Sequence, residues 1–211
     1  MQLKRDYSNR KVVIQLNVTV LTDTLKWRFP LKPLAHENIR YLIVHHAEAE
    51  RATPEDIHEW HLERDNGTWA GFGYNEYIRK DGSVYIGRGD NIGAQCLGYN
   101  SISYGICCEG NYETETEMTT AQKEALIERL KYHKGRFNNA QIVGHKELND
   151  TSCPGRFFPL SEVRQLKDSE LESALIKLVK SEIIDSPDYW RVKAESVQYL
   201  DKLIIKMANK L

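Results

Sequence analysis

Apolar and polar positions alternate through Val12-Val13-Ile14-Gln15-Leu16-Asn17-Val18-Thr19-Val20, and the β-branched content predicts a strand at residues 11–20 with one buried face. A polar break at Thr22-Asp23-Thr24 and then Leu25-Lys26-Trp27-Arg28-Phe29 predict an antiparallel partner, closed by Pro30 and Pro33. Ile39-Arg40-Tyr41-Leu42-Ile43-Val44-His45-His46 is nearly continuously apolar, as in a central strand covered on both faces. Side chains alternate along a strand, so His45 and His46 face opposite ways, and parity leaves open which one enters a site at the strand's end. Thr53-Pro54-Glu55-Asp56 is a helix start, with Thr53 as N-cap and acids in the first turn. The spacing of Ile57, Trp60 and His61 predicts an inward face up to about Arg64, with His58 exposed and His61 in a structural hydrogen bond.

Further along, Tyr74–Ile78 and Val84–Gly89 flank the Asp81-Gly82 turn and predict a hairpin. Ser101–Cys108 reads as another central strand, and Met118–Lys134 as an amphipathic helix capped by Thr119 or Thr120, with Leu126, Ile127 and Leu130 inward. Ala140–Val143 ends a buried strand and leads into a loop that Pro154-Gly155 keeps irregular. After about Leu166 the pattern becomes helical: Leu171–Ile184, and Pro187–Asn209 after a start at Ser186, predict an antiparallel helical hairpin. Covering the main domain is the favoured role for that hairpin, with homodimerisation and binding of an external polymer as the alternatives. The expected architecture is α/β (α+β): a mixed central β-sheet flanked by helices, with an N-terminal β-hairpin over 1–37, a main domain over 38–166 and a helical appendage over 167–211.

Composition narrows the function. In 211 residues, charged residues make up 28% and the formal net charge is -1, so no basic field exists for nucleic acid. No segment approaches the ~20 apolar residues of a membrane span, and the N-terminus lacks the apolar core and cleavage site of a secretory signal. These features predict a chain made as a soluble cytoplasmic protein. Cys96, Cys107, Cys108 and Cys153 make no disulfide framework, and Cys107 and Cys108, adjacent on a strand, point to opposite faces and read as packing residues.

The chemistry concentrates in the loop from Gly144 to Gly155. His145 and Cys153 carry ligand types that zinc prefers, and a catalytic zinc takes three protein ligands plus a water, so a third ligand must come from elsewhere in the chain. For an isolated pair at this spacing, a hydrogen-bonded histidine and a small buried cysteine are the commoner outcome.

Four segments change that balance. VHHAEA (44–49), GFGYNEYIRKDGSVYIGRG (71–89), GYNSISYGICCEGNY (98–112) and GHKELNDTSCPG (144–155) resemble, in order and spacing, the zinc-dependent N-acetylmuramoyl-L-alanine amidases, a family that includes phage lysozyme-type amidases and peptidoglycan recognition proteins. The resemblance covers roughly residues 38–165. It implies zinc held by His45, His145 and Cys153, with His46 as a neighbour, and it matches Tyr74 and Thr151 to groups that flank the metal and stabilise the developing oxyanion. Gln95 stands where family members commonly carry histidine, and with Asn75, Arg88 and Asn100 it is a candidate substrate-binding position. Glu76 and Glu147 are candidate bases or supporting carboxylates, with Tyr74 preferred as the group orienting water. The implied reaction is hydrolysis of the bond between N-acetylmuramic acid and L-alanine in bacterial peptidoglycan. An endolysin of a phage or prophage, kept in the cytoplasm until release to the wall, suits a chain without a signal. The competing expectation is a non-catalytic peptidoglycan-binding module.

Overall fold

The structure is a computed structural model describing residues 16–137, 139–164, 170–197 and 200–211. Its six strands are β1 (Val18–Val20), β2 (Tyr41–His46), β3 (Glu76–Ile78), β4 (Val84–Ile86), β5 (Ser103–Cys108) and β6 (Gln141–Gly144). They form one mixed sheet in the order β1-β4-β3-β5-β2-β6. Only the β3–β4 hairpin is antiparallel; the other four pairings are parallel. The helices are α1 (Pro54–Gly67), α2 (Thr120–Arg136), α3 (Leu160–Arg164), α4 (Glu170–Lys180), α5 (Pro187–Ser196) and α6 (Leu200–Ala208).

Alternation along β2 sorts its side chains. Leu42 and Val44 join Ile106, Leu126 and Leu130 in a core between the sheet and α2. Ile43 packs on the opposite side with Cys96 and Val143. His45 shares the parity of Ile43, and His46 that of Val44. Leu126 and Leu130 are fully buried, and each contributes about 1.5–3 kcal/mol by leaving water.

α1 begins as its sequence dictates. Thr53 Oγ1 accepts from Asp56 N–H at 3.1 Å, and Asp56 Oδ2 accepts from Thr53 N–H at 2.7 Å, a reciprocal cap that satisfies two otherwise unpaired donors. Helical geometry ends at Arg64, whose ψ is 143°. The predicted faces of α1 are corrected in two places. His58 is buried, accepting from Phe72 N–H at 3.1 Å, whereas Trp60 is 47% exposed. The cause is the chain passing beneath the helix, where Trp27 meets the His58 ring edge-on at 5.4 Å.

That same segment overturns the N-terminal hairpin. Val18–Val20 pairs in parallel with β4, and Leu25–Phe29 forms no strand; residues 11–15 lie outside the described residues. Leu25 and Trp27 pack instead into the α1 side of the sheet, and Arg28 Nη1 donates to the carbonyls of Leu62 and Gly67 at 2.5 and 2.6 Å. A cation at a helix C-terminus satisfies carbonyls that have no intrahelical partner, and this gain outweighs the local strand pattern.

In the tail, α4 and α6 pack through Ala174, Leu175, Leu178, Ile204 and Ala208. The predicted second helix is broken: Val197 is extended (φ -112°, ψ 119°) and closes α5, and the break lets α6 turn Ile204 and Ala208 toward α4. Among the described residues, no helix is long and apolar enough to cross a membrane.

Candidate metal centre and its groove

Sheet register builds the first half of the centre. β2 and β6 run parallel with Val44 opposite Gly144, so His45 and His145 emerge side by side where the two strands end. Their ring centroids are 4.7 Å apart. The loop after β6 then returns, with Lys146 N–H donating to Cys153 O at 2.7 Å, and brings Cys153 Sγ to 3.5 Å from His45 Nδ1. One ligand atom from each of His45, His145 and Cys153 lies within 4.8 Å of the other two.

Burial sets the protonation of these groups. It lowers His45 to about 3, aided by the neighbouring His145, and lowers His145 as well. Both rings are therefore neutral and keep a lone pair for a metal. Burial pushes the Cys153 thiol up to about 12. A divalent cation between these atoms reverses that effect, because its own charge stabilises thiolate.

The centre floors a cavity of about 240 Å³ whose walls include Tyr74, Thr151, Trp60 and Arg64. The Tyr74 ring lies 5.2 Å from that of His45, and burial holds its phenol well above the ordinary value, so it remains an O–H donor. Thr151 Oγ1 accepts from Cys153 N–H at 3.3 Å, which leaves its own proton free to donate into the cavity. Pattern reading missed the wall built by α1 and the loop after it. His61 accepts from Gly73 N–H at 2.9 Å and braces Trp69 and Tyr74, with ring centroids 5.1 and 5.4 Å away, and the Arg64 guanidinium lies 5.1 Å from the Trp69 ring. The structural hydrogen bond expected of His61 is this bond to Gly73.

The other singled-out residues divide clearly. His46 accepts from Tyr112 N–H at 3.0 Å and so holds the segment on which the 155–157 turn rests, where Phe157 N–H donates to Tyr112 O at 2.9 Å. Gln95 is buried against His45, its Oε1 2.5 Å from His45 Nε2. Asn75 is fully buried: its amide donates to Gly89 O and Asn91 O, both at 2.8 Å, and accepts from Gly105 N–H at 2.8 Å. Arg88 donates to the carbonyls of Phe72 and Ile92 at 2.6 and 2.9 Å. Asn100 accepts from the Gln95 and Cys96 N–H groups at 2.9 and 3.0 Å. These three bond to backbone groups and shape the loops around the groove, and none of them lines the metal-centre cavity.

Glu76 requires a correction of face. Strand geometry begins only at Glu76, so alternation does not extend back to Tyr74. Glu76 turns toward α2, where Arg129 Nε donates at 2.8 Å, His133 Nε2 lies at 2.6 Å and Tyr104 OH donates at 3.0 Å. Glu147 accepts from Gly144 N–H at 2.7 Å and pairs with Arg164, so it pins the loop start. Neither carboxylate lines the metal-centre cavity.

Known proteins resemble this chain in sequence and in fold. The profile of the N-acetylmuramoyl-L-alanine amidase family, Amidase_2, matches residues 35–156. The endolysin of Klebsiella phage KP32 is 34% identical over 118 residues, covering 52% of this chain and 76% of the phage protein. Peptidoglycan-recognition protein SC2 of Drosophila melanogaster is 35% identical over 129 residues, covering 56% of this chain and 68% of its own length. Among solved structures, the N-acetylmuramoyl-L-alanine amidase LysC from Clostridium intestinale URNW superposes with a TM-score of 0.63 at 32% identity, over 71% of this chain and 95% of its own. With a family profile spanning more than half its length and these neighbours, the chain belongs to the N-acetylmuramoyl-L-alanine amidase family.

Proposed function

We infer that this chain is a peptidoglycan hydrolase that cleaves the amide between N-acetylmuramic acid and L-alanine, using a zinc ion held by His45, His145 and Cys153. The observation that carries the reading is the meeting of those three ligand atoms within 4.8 Å at the floor of a groove. The donor set suits zinc: two neutral imidazoles and a thiol. With Zn–N near 2.0–2.1 Å and Zn–S near 2.3 Å, tetrahedral ligands stand about 3.5 Å apart. The separation of His45 Nδ1 from Cys153 Sγ is 3.5 Å.

Bound there, zinc supplies Lewis acidity toward the scissile carbonyl and lowers the pKa of an attacking water. The remaining work falls to the chain. Tyr74 and Thr151 present O–H donors from two walls, placed to stabilise the oxygen on which charge develops and to orient the water. One such preorganised donor is worth about 3 kcal/mol. As the water oxygen bonds to the lactyl carbonyl carbon, the C–N bond breaks and the alanine nitrogen leaves with a proton. Trp60, Trp69 and Arg64 give the groove an aromatic and cationic side suited to a muramyl peptide with its carboxylates. In this reading residues 38–166 are the catalytic domain and 167–211 an appendage. The likeness to a phage endolysin supports release to the wall at lysis as the working context.

The test is digestion of purified peptidoglycan with metal content measured alongside. About one zinc per chain, chelator-sensitive and zinc-restored activity, and new amino-terminal alanine are expected. Intact peptidoglycan in the presence of bound zinc would overturn catalysis and leave a binding module.

A further inference from the structure

Each of the two converging histidines faces a side-chain amide through its Nε2, and His45 turns its other ring nitrogen, Nδ1, to Cys153 Sγ. His145 Nε2 lies 3.1 Å from Asn149 Oδ1, and His45 Nε2 lies 2.5 Å from Gln95 Oε1. The orientation of Asn149 is fixed by its surroundings. Its Nδ2 donates to the carbonyls of Leu97 and Leu148 at 3.2 and 3.0 Å, groups that can only accept. The oxygen is therefore the atom turned to the ring, where it also receives the Cys96 thiol at 3.1 Å. An oxygen in hydrogen-bond contact with a ring nitrogen requires the proton on that nitrogen.

Gln95 is held by different contacts, with a hydroxyl that can donate or accept on the far side of its amide. Its Nε2 donates to Ser103 Oγ at 2.9 Å, and its backbone N–H is fixed by Asn100 Oδ1 at 2.9 Å. The space it occupies exists because residue 105 is glycine: a Cβ there would lie 2.6 Å from Gln95 Cδ. One loop thus supplies the first amide and, through Leu97 O, anchors the second.

We propose that Gln95 and Asn149 are paired positioning residues that fix His45 and His145 as Nε2–H tautomers, so that both Nδ1 lone pairs converge with Cys153 Sγ on the metal position. A free neutral imidazole divides between two tautomers and two ring orientations, and a metal must then select one. Here the selection is made before the metal arrives. Using amides, not carboxylates, does so without adding negative charge beside the reacting carbonyl.

The inference rests on the zinc reading above, and the experiment separates the two. In metal-free wild-type protein carrying ¹⁵N-histidine, long-range ¹H–¹⁵N spectra are expected to show the Nε2–H pattern for both rings. Chelator competition is expected to show zinc binding weakened at least about tenfold in Gln95→Leu and in Asn149→Leu, the range found for partners of metal ligands. Gln95→Glu keeps an acceptor and is expected to keep wild-type affinity, a rescue that a purely packing role would not produce. An Nδ1–H pattern on either ring, or leucine variants that bind zinc as wild type does, would overturn the inference alone. Failure of the wild type to bind zinc would overturn the zinc reading, and this proposal with it. The spectra use unmutated protein, so the test stands even if a leucine variant does not fold.

Discussion

Cys153 Sγ lies 3.5 Å from His45 Nδ1, although the two residues are 108 positions apart in the chain. A strand end and the loop that follows a neighbouring strand produce this meeting. Replacing Cys153 by serine leaves the fold in place and removes the only sulfur of the centre. Zinc affinity is expected to fall by more than the about 10–100-fold typical of residues outside the ligand shell, and amidase activity with it. Equilibrium dialysis against zinc, with the metal-free melting temperature as a control, checks this; retained stoichiometric zinc would exclude Cys153 as a ligand.

Tyr74 stands beside His45 but offers only a hydroxyl, so its loss should separate catalysis from metal binding. Tyr74→Phe is expected to keep zinc and substrate affinity and to lower kcat by about 10²–10³-fold. Steady-state kinetics on a soluble muramyl peptide decide it, and an unchanged kcat would remove Tyr74 from the mechanism.

Gly155 has φ of +100°, and a Cβ on it would lie 2.2 Å from the carbonyl carbon of Tyr112. Gly155→Ala must therefore strain the backbone and push the turn off the segment that His46 holds. The strain alone costs about 1–3 kcal/mol, and the displaced loop carries Cys153. Denaturant unfolding should register the lost stability and a competition titration the weakened zinc binding. Wild-type values in both would show that the turn adapts freely.

Glu76 and Arg129 set an acid limit on stability. Burial pushes the Glu76 carboxyl up, but His133 and the Arg129 hydrogen bonds outweigh it and hold the group well below its ordinary 4.5. A depressed carboxylate contributes stability that is complete above the unfolded value and is lost as pH falls below it. Wild-type stability should therefore decline from about pH 4.5 downward, where this carboxylate takes up a proton in the unfolded chain and stays ionised in the folded one. Glu76→Gln leaves Arg129 without its buried partner and is expected to cost about 3–5 kcal/mol at neutral pH. The gap to wild type should narrow on acidification; urea midpoints at pH 7 and pH 3.5 measure it, and a constant gap would refute the charge assignment.

Local chemistry made much of the centre legible in advance. Thr53 and Asp56 announce the start of α1, Asp81-Gly82 the hairpin, and Leu126 and Leu130 the inner face of α2, because each signal acts within one turn of chain. The four family segments led to His45, His145 and Cys153 for a related reason: ligand chemistry restricts which residue types occupy those positions. Patterns failed where a distant segment intervened. Leu25–Phe29 has a strand's alternation, yet Trp27 and Arg28 gain more beneath α1. Glu76 has the spacing of a catalytic neighbour, yet Arg129 and His133 claim it from the other face.

What this sequence determined by itself was the kind of elements, the chemistry of the donor set and the family. Tertiary structure alone decided how close His45, His145 and Cys153 come to one another, and which amides stand behind the two histidines. It also decided that Asn75 and Arg88 support loops. The physical reason is range. Helix caps, turns and ligand types are encoded within a few residues, whereas strand register and the partner of a buried polar atom depend on residues tens of positions away that only the folded sheet brings together.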